Sequence, residues 1–155
     1  MHKYYVCRYY INAQHSVDNI QKNAHQHTFT LSLSIEPRVD KGMVPFSAID
    51  RLVNSYVLQY KGVYLNSMPQ FQGVYPSLEW MGEVMYQDFH ALLDEKGWRC
   101  LQLEIAENPL KTFLISDRIM LPSVHPADSR ISWQNVLTRR NRYVEILEKV
   151  KEGKG

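Results

Sequence analysis

Strict alternation of apolar and polar residues between Thr28 and Ile35 is the feature that most constrains the fold of this chain. In this stretch, TFTLSLSI, every second side chain is large and apolar, and the side chains between them are all Ser or Thr. Successive side chains of a strand point to opposite faces, so this pattern is typical of an antiparallel strand with one buried and one polar face. A half-buried antiparallel strand is therefore predicted here.

The periodicity of the rest of the chain predicts three more strands and two helices. The first strand is rich in Tyr, whose β-preferring ring and polar tip are typical of a partly wet sheet. Pro76 and Gly97 bracket the second helix, as is usual for Pro near a helix start and Gly just past its end. The predicted order is a strand at 4–15, a strand at 28–35, a helix at 46–60, a helix at 77–96, a strand at 98–106 and a strand at 113–115. This is an α+β arrangement of the order β-β-α-α-β-β.

Residues 117–155 are predicted as a C-terminal extension to a domain that covers residues 1–116. Residues 117–130 include two prolines and little periodicity, which indicates an extended connector. Apolar residues then recur at helical spacing, and a helix is expected at about 131–151. This helix either contacts a partner or another subunit, or packs on the sheet of its own chain, and the second arrangement is the commoner one for such helices.

Composition excludes several classes of protein. The 18 Lys and Arg residues against 16 Asp and Glu give a formal charge of +2, which does not indicate a nucleic-acid or membrane-surface protein. Two cysteines are too few for a disulfide framework or a cysteine-based zinc cluster. No run reaches the ~18 apolar residues of a membrane span, and the first residues lack the pattern of a secretory signal. We expect a cytoplasmic protein with neither nucleic acid nor membrane as a partner.

Three of the six histidines form a pattern that suits a metal ion. His25 and His27 are two residues apart, so both rings point to one side if the second strand begins there. His15 ends the first predicted strand, and a short connection would bring the two strand ends together. Three imidazoles around Zn²⁺ with an open fourth position are typical of a catalytic site. The alternative interpretation is a solvated strand end, and spacing alone leaves both open.

Five short motifs together resemble those of the 6-pyruvoyl tetrahydropterin synthase and 6-carboxytetrahydropterin synthase family. They occur in the family's order and at similar spacing across residues 4–115. In chain order they are INAQHSV at 11–17 with AHQHTFTLSLSI at 24–35, GMV at 42–44 followed by Phe46, Tyr64-Leu65-Asn66, Pro76-Ser77-Leu78-Glu79, and Ala106-Glu107-Asn108-Pro109.

The resemblance implies a fold, a metal site and an assembly. The fold is the tunnelling fold (T-fold), an antiparallel four-stranded sheet with two helices on one face, here with an extra C-terminal helix. His15, His25 and His27 would hold a zinc ion. Glu107 would accept hydrogen bonds from the amino-pyrimidine edge of a pterin, a charge-assisted contact, and Ser77 would line the same pocket. The family assembles through its sheets, so the partners implied are a pterin or purine-like ligand and further copies of the chain, as a hexamer or a trimer.

The chain departs from the family at the residues that move protons. Gln21 occupies the position of the catalytic cysteine, and Lys61 and Gly62 occupy those of an Asp-His pair. The reaction needs a group whose pKa lies near neutrality, which a glutamine amide does not have. Lys61 would serve as a base only if it were desolvated, and in a polar segment it is more often solvated. Asp18 is another candidate base, although a turn residue bonded to local backbone is the commoner role.

Two hypotheses of different classes follow. In the first, the chain is a zinc-dependent enzyme of the tetrahydropterin synthase type, with lyase chemistry that is altered because the catalytic cysteine is Gln21. In the second, it is a non-catalytic relative that keeps the zinc site, binds a pterin or purine-like ring, and uses its C-terminal helix for assembly. The missing proton-transfer residues favour the second for the standard reaction, whereas the kept zinc ligands favour some retained chemistry.

Overall fold

The computed structural model describes residues 3–38 and 45–117, which fall within one compact unit, Met1–Ile119. Its strands and α-helices follow the predicted order. They are β1 (Tyr5–His15), β2 (His25–Pro37), α1 (Phe46–Val57), α2 (Leu78–Asp94), β3 (Trp98–Asn108) and β4 (Lys111–Ser116). The motif at 42–44 and the helix expected at about 131–151 lie outside the described residues, so both stay predictions.

The four strands form one antiparallel sheet in the order β1-β2-β3-β4. β2 is longer than the alternating stretch predicted, because its pairing with β1 continues back to the histidines. His15 lies directly opposite His25, and Ala13 lies opposite His27. Since partners across an antiparallel ladder share a face, all three histidines project from the face that carries Phe29.

Both helices cover this apolar face of the sheet. One core cluster joins alternate residues of the strands to the buried residues of α1 and α2. The helix residues in the cluster are Ile49, Val53, Val57, Met81, Met85, Phe89 and Leu93. Burial of large aliphatic and aromatic side chains of this kind, at about 1.5–3 kcal/mol each, is the main stabilising contribution to the fold. No helix in the described part of the chain has the length and apolar character that crossing a bilayer requires.

The two ends of α2 are set by local chemistry. Ser77 is the N-cap residue, and its hydroxyl oxygen accepts a hydrogen bond from the Trp80 backbone N–H at 3.3 Å. After α2 ends, Gly97 adopts a φ of 74°, a left-handed conformation that glycine takes at low cost. The chain then reverses directly into β3. The N-terminal cap therefore fixes where α2 begins, beside the end of the sheet that carries the histidines.

Candidate metal centre and binding cleft

The chemistry-bearing residues gather at one end of the sheet. β1 ends at His15 and β2 begins at His25, while the turn between β3 and β4 follows Asn108. Neighbouring antiparallel strands alternate in direction, so the end of β1, the start of β2, the end of β3 and the start of β4 all meet at this edge. Glu107, one residue before the end of β3, is thereby brought beside the histidines.

Two of the three predicted zinc ligands lie in a cluster with Glu107. Ligand atoms of His15, His27 and Glu107 all lie within 4.8 Å of one another. The rings of His15 and His27 meet edge to face, with centroids 4.9 Å apart. His25 is not in this group, and it is exposed at the first position of β2. It nevertheless lies directly opposite His15 on the same face of the sheet.

His15 is buried and held in one tautomer. Only 3% of its surface is exposed. Its Nδ1 lies 3.0 Å from the Pro76 carbonyl oxygen, which can only accept, so Nδ1 carries the proton and Nε2 presents its lone pair. Burial, with a smaller contribution from the neighbouring His27, lowers the pKa of His15 below its ordinary value. At neutral pH the ring is therefore a neutral imidazole, the form that binds a metal ion.

Glu107 lies at an irregularity in the sheet. In the pairing of β3 with β4, Ala106 lies opposite Thr112 and Asn108 lies opposite Lys111, so Glu107 is an extra residue on β3 with no partner on β4. Bulges of this kind bend a strand and redirect a side chain, and they are common next to active sites. Alternation along β3 puts the partly buried Glu107 on the same face as Ile105, and this is the face that carries the histidines.

A cleft of about 450 Å³ adjoins the cluster and shares Glu107 with it. This volume lies in the range of pockets that hold small organic ligands. The cleft contains both residues that were predicted to bind the ring, Glu107 and Ser77. Its lining comprises Tyr75, Ser77, Leu78, Glu79, Glu107, Leu110, Lys111, Thr112 and Phe113.

Tyr75 connects the cleft to the cluster, and sequence reasoning missed it. Its ring lies 5.2 Å from that of His15, centroid to centroid, and it also lines the cleft. Burial, together with the negative charges of Glu107 and Glu79, raises the pKa of Tyr75. The phenol therefore stays protonated at neutral pH and can donate a hydrogen bond to a ligand. The only indication in the sequence was its position immediately before the Pro76-Ser77 motif.

Comparison with protein families gives a match to 6-pyruvoyl tetrahydropterin synthase over residues 4–117. The chain belongs to this family. Comparison with curated proteins gives no match.

Among solved structures, 6-pyruvoyl tetrahydropterin synthase of Caenorhabditis elegans is 12% identical with a TM-score of 0.63, over 75% of this chain and 96% of that one. An uncharacterized protein from Wolinella succinogenes is 11% identical with a TM-score of 0.58, over 75% and 98%. At such low identity, these structures show a common fold, the T-fold predicted from the motifs.

The three positions that match the family's proton-transfer residues lie outside the cluster. Gln21 is exposed in a single 3₁₀ turn of the β1–β2 connection. Lys61 is exposed immediately after a second 3₁₀ turn, and it is not among the residues of the cluster. Gly62 has no side chain, and its φ of 71° suits glycine and few other residues.

Neither thiol replaces the missing cysteine. Cys100 is buried in the core opposite Ile35, and burial raises the pKa of its thiol to about 12. Cys7 is also buried, and burial raises the pKa of this thiol as well. Because the thiolate is the reactive form, burial disfavours the reactive form of both side chains.

Asp18 acts as a turn residue whose carboxylate bonds to its own loop, and not as a catalytic base. Its carboxylate accepts a hydrogen bond from the Ile20 backbone N–H at 3.0 Å and another from the Asn23 amide at 2.6 Å. These bonds, the one from Asn23 above all, lower the pKa of Asp18. A carboxylate with a lowered pKa is a weaker base, so Asp18 stabilises the β1–β2 connection.

Proposed function

We propose that this chain is a zinc-dependent protein of the tetrahydropterin synthase type that binds a pterin or a related ring in the cleft beside its histidines. One observation carries the proposal. Glu107 belongs to the cluster with His15 and His27 and also lines the cleft. A ring held by Glu107 would therefore lie next to an ion held by the histidines.

We assign the zinc ion to His15, His25 and His27. The neutral His15 ring, with its Nδ1 bonded to Pro76 and its Nε2 available, supports the assignment, because metal-binding histidines usually donate their other N–H to a protein acceptor. Within residues 3–38 and 45–117, no hydrogen bond or ring contact holds the exposed His25 side chain, so it can turn toward an ion beside His15. When bound, zinc supplies a Lewis acid that polarises a ligand oxygen or activates a water molecule.

The ring is recognised by the acidic side of the cleft. The Glu107 carboxylate would accept two hydrogen bonds from adjacent N–H groups of an amino-pyrimidine edge. The protonated Tyr75 hydroxyl would donate to an acceptor on the ligand, and Ser77 would line the same wall. This combination of one bidentate acceptor and one donor suits a pterin or a guanine-like ring.

The standard family reaction is not expected, because Gln21, Lys61 and Gly62 occupy the positions of the family's cysteine and Asp-His pair and supply neither a thiol nor an imidazole there. The exposed positions of Gln21 and Lys61 also favour a second candidate function, that of a non-catalytic pterin-binding or scaffold protein. The two candidates differ in whether the bound ligand is chemically changed.

A turnover assay tests the proposal. Zinc-loaded protein is incubated with dihydroneopterin triphosphate, the ligand is followed by mass spectrometry, and neopterin binding is measured by calorimetry. We expect neopterin to bind and the standard 6-pyruvoyl product not to form. A different product would support altered lyase chemistry, and an unchanged ligand would support the non-catalytic candidate. Absence of neopterin binding, or release of the standard product, would contradict the proposal.

We also expect the chain to assemble as a hexamer or at least a trimer. Among the described strands, β1 and β4 are the edges of the sheet. Residues 62–63 pair with β1 near its His15 end, and the remaining open edge needs pairing or protection. Three large apolar side chains, Val6, Tyr10 and Leu114, are at least half exposed on the face opposite the helices. Sedimentation equilibrium should give a multiple of 18.2 kDa, and Val6→Arg should lower it. A clean monomer would contradict the expectation.

The cytoplasmic location stays a prediction from the sequence.

A further inference from the structure

The end of β1 that carries His15 is attached to the segment that contains the Tyr64-Leu65-Asn66 motif. The Gly62 N–H donates to the Asn12 carbonyl oxygen at 2.6 Å, and the Gln14 N–H donates to the Val63 carbonyl oxygen at 2.9 Å. This segment therefore runs beside the outer edge of β1 up to the residue before His15. The backbone on the N-terminal side of the histidine is thus fixed by ordinary backbone pairing.

On the C-terminal side of His15, the side chain of Asn66 holds the backbone. The Asn66 side-chain oxygen accepts from the Ser16 backbone N–H at 3.0 Å, and its amide nitrogen donates to the Ser16 carbonyl oxygen at 2.8 Å. One amide thereby pairs both backbone groups of Ser16, as a residue of a neighbouring strand would. The Ser16 hydroxyl is in turn bonded to the Tyr64 hydroxyl at 2.6 Å, and the Asn66 amide also donates to the Asn19 side chain at 2.5 Å.

Ser16 is almost completely buried, with 1% of its surface exposed. Buried backbone groups that lose their partner must find another one or move toward water. The next residue back is His15, so such a movement would displace the histidine backbone. Among the described residues, the His15 ring has one hydrogen bond, from Nδ1 to the Pro76 carbonyl oxygen, and packs against the rings of His27, Phe29 and Tyr75. Because one hydrogen bond does not fix the ring by itself, the direction of Nε2 also depends on where the backbone at Ser16 is held.

We propose that Asn66 is a positioning residue for His15: its side-chain amide holds the Ser16 backbone so that the His15 imidazole keeps Nδ1 on the Pro76 carbonyl oxygen and Nε2 toward the cluster. The role in metal binding rests on the proposed function. The role in orienting the His15 ring does not, because it concerns the protein without a metal ion.

Two substitutions test this role. Asn66→Ala removes both bonds to the Ser16 backbone. Asn66→Asp keeps the acceptor for the Ser16 N–H and loses the amide group that donates to the Ser16 carbonyl oxygen and to the Asn19 side chain, so it still tests the role if Asn66→Ala folds poorly. The matched control is Tyr56→Phe, which removes the hydroxyl bonded to Asp88 and Tyr60 between the helices and leaves the cluster untouched.

The first measurement is NMR of the His15 ring in the metal-free protein. In the wild type and in Tyr56→Phe, we expect ring nitrogen shifts of the Nδ1–H tautomer and an Nδ1 proton protected from exchange. In Asn66→Ala we expect this protection to be lost, and in Asn66→Asp to be reduced. Unchanged His15 ring signals in both Asn66 variants would overturn the proposal whether or not the protein binds zinc.

The second measurement is metal affinity, by competition with a chelating dye, together with the visible spectrum of the Co²⁺-loaded protein. Loss of a residue that orients a metal-binding histidine typically lowers affinity about 10- to 100-fold. We expect a loss of this size for Asn66→Ala with a changed Co²⁺ spectrum, and wild-type values for Tyr56→Phe. Wild-type affinity and spectrum in Asn66→Ala would contradict the role in metal binding. A wild type that binds no metal would contradict the proposed function, and the His15 signals would still decide the role of Asn66.

Discussion

Replacing His27 with alanine is expected to abolish stoichiometric zinc binding. His27 lies in the cluster with His15 and Glu107, and its ring is in direct contact with that of His15. It belongs to the predicted set of three histidines and also to the cluster, so its loss removes a ligand in either arrangement. The fall in affinity should exceed about 100-fold, the upper end for residues that touch only the ligands of a metal ion. The measurement is elemental analysis of protein purified without chelator, followed by a competition titration.

Two further variants identify the third ligand. If His15, His25 and His27 hold the ion, His25→Ala should lose zinc as His27→Ala does, and Glu107→Gln should keep it. If the ion instead lies between His15, His27 and Glu107, Glu107→Gln should lose zinc and His25→Ala should keep it. His90→Ala is the matched control, because His90 is an exposed histidine on α2. Full zinc stoichiometry in His27→Ala would contradict the zinc assignment itself.

Replacing Glu107 with glutamine is expected to lower the affinity for a pterin ring about 10- to 100-fold. The carboxylate lies at a bulge in β3 and faces the cleft, and an amide in its place can accept only one of the two hydrogen bonds. Loss of a charge-assisted hydrogen bond costs about 1.5–3 kcal/mol, and each 1.4 kcal/mol is a factor of about ten in affinity. Calorimetric titration of neopterin into the zinc-loaded wild type and the variant measures the difference.

The control for this experiment is Glu104→Gln, which makes the same chemical change on the same strand. The Glu104 carboxylate accepts a hydrogen bond from the Gln102 amide at 2.7 Å, and a glutamine oxygen can still accept it. We therefore expect wild-type affinity in this variant. Equal neopterin affinity in the wild type and Glu107→Gln would mean that Glu107 does not anchor the ring.

The sequence by itself determined the order of the elements and the face of the sheet that is buried. Alternation between Thr28 and Ile35 and the helical spacing after Phe46 depend on nothing but which side chains avoid water, so they can be read locally. The observed limits of β2 differ from those of the alternating stretch. β2 begins at His25, three residues before the alternating stretch, because polar residues at a strand end give no hydrophobic pattern although their backbone still pairs.

The motifs also indicated the family to which the chain belongs. They predicted four site residues that the structure places in the cluster, in the cleft or in both: His15, His27, Glu107 and Ser77. Their roles toward a metal ion or a ring stay proposals. His25 shares the face of His15 and His27, as the spacing predicted, but it is not in the cluster, and its role as a ligand stays a prediction.

Only the tertiary structure decided how the site is held together. The bulge at Glu107 depends on the register between β3 and β4, and neither strand encodes it alone. Tyr75 meets His15 across 60 residues of chain, and Asn66 pairs with Ser16 across 50. Contacts of this kind exist only after the core has packed and brought the segments together. The sequence therefore shows which side chains can do chemistry, whereas packing decides which of them share a site and which neighbours fix their direction.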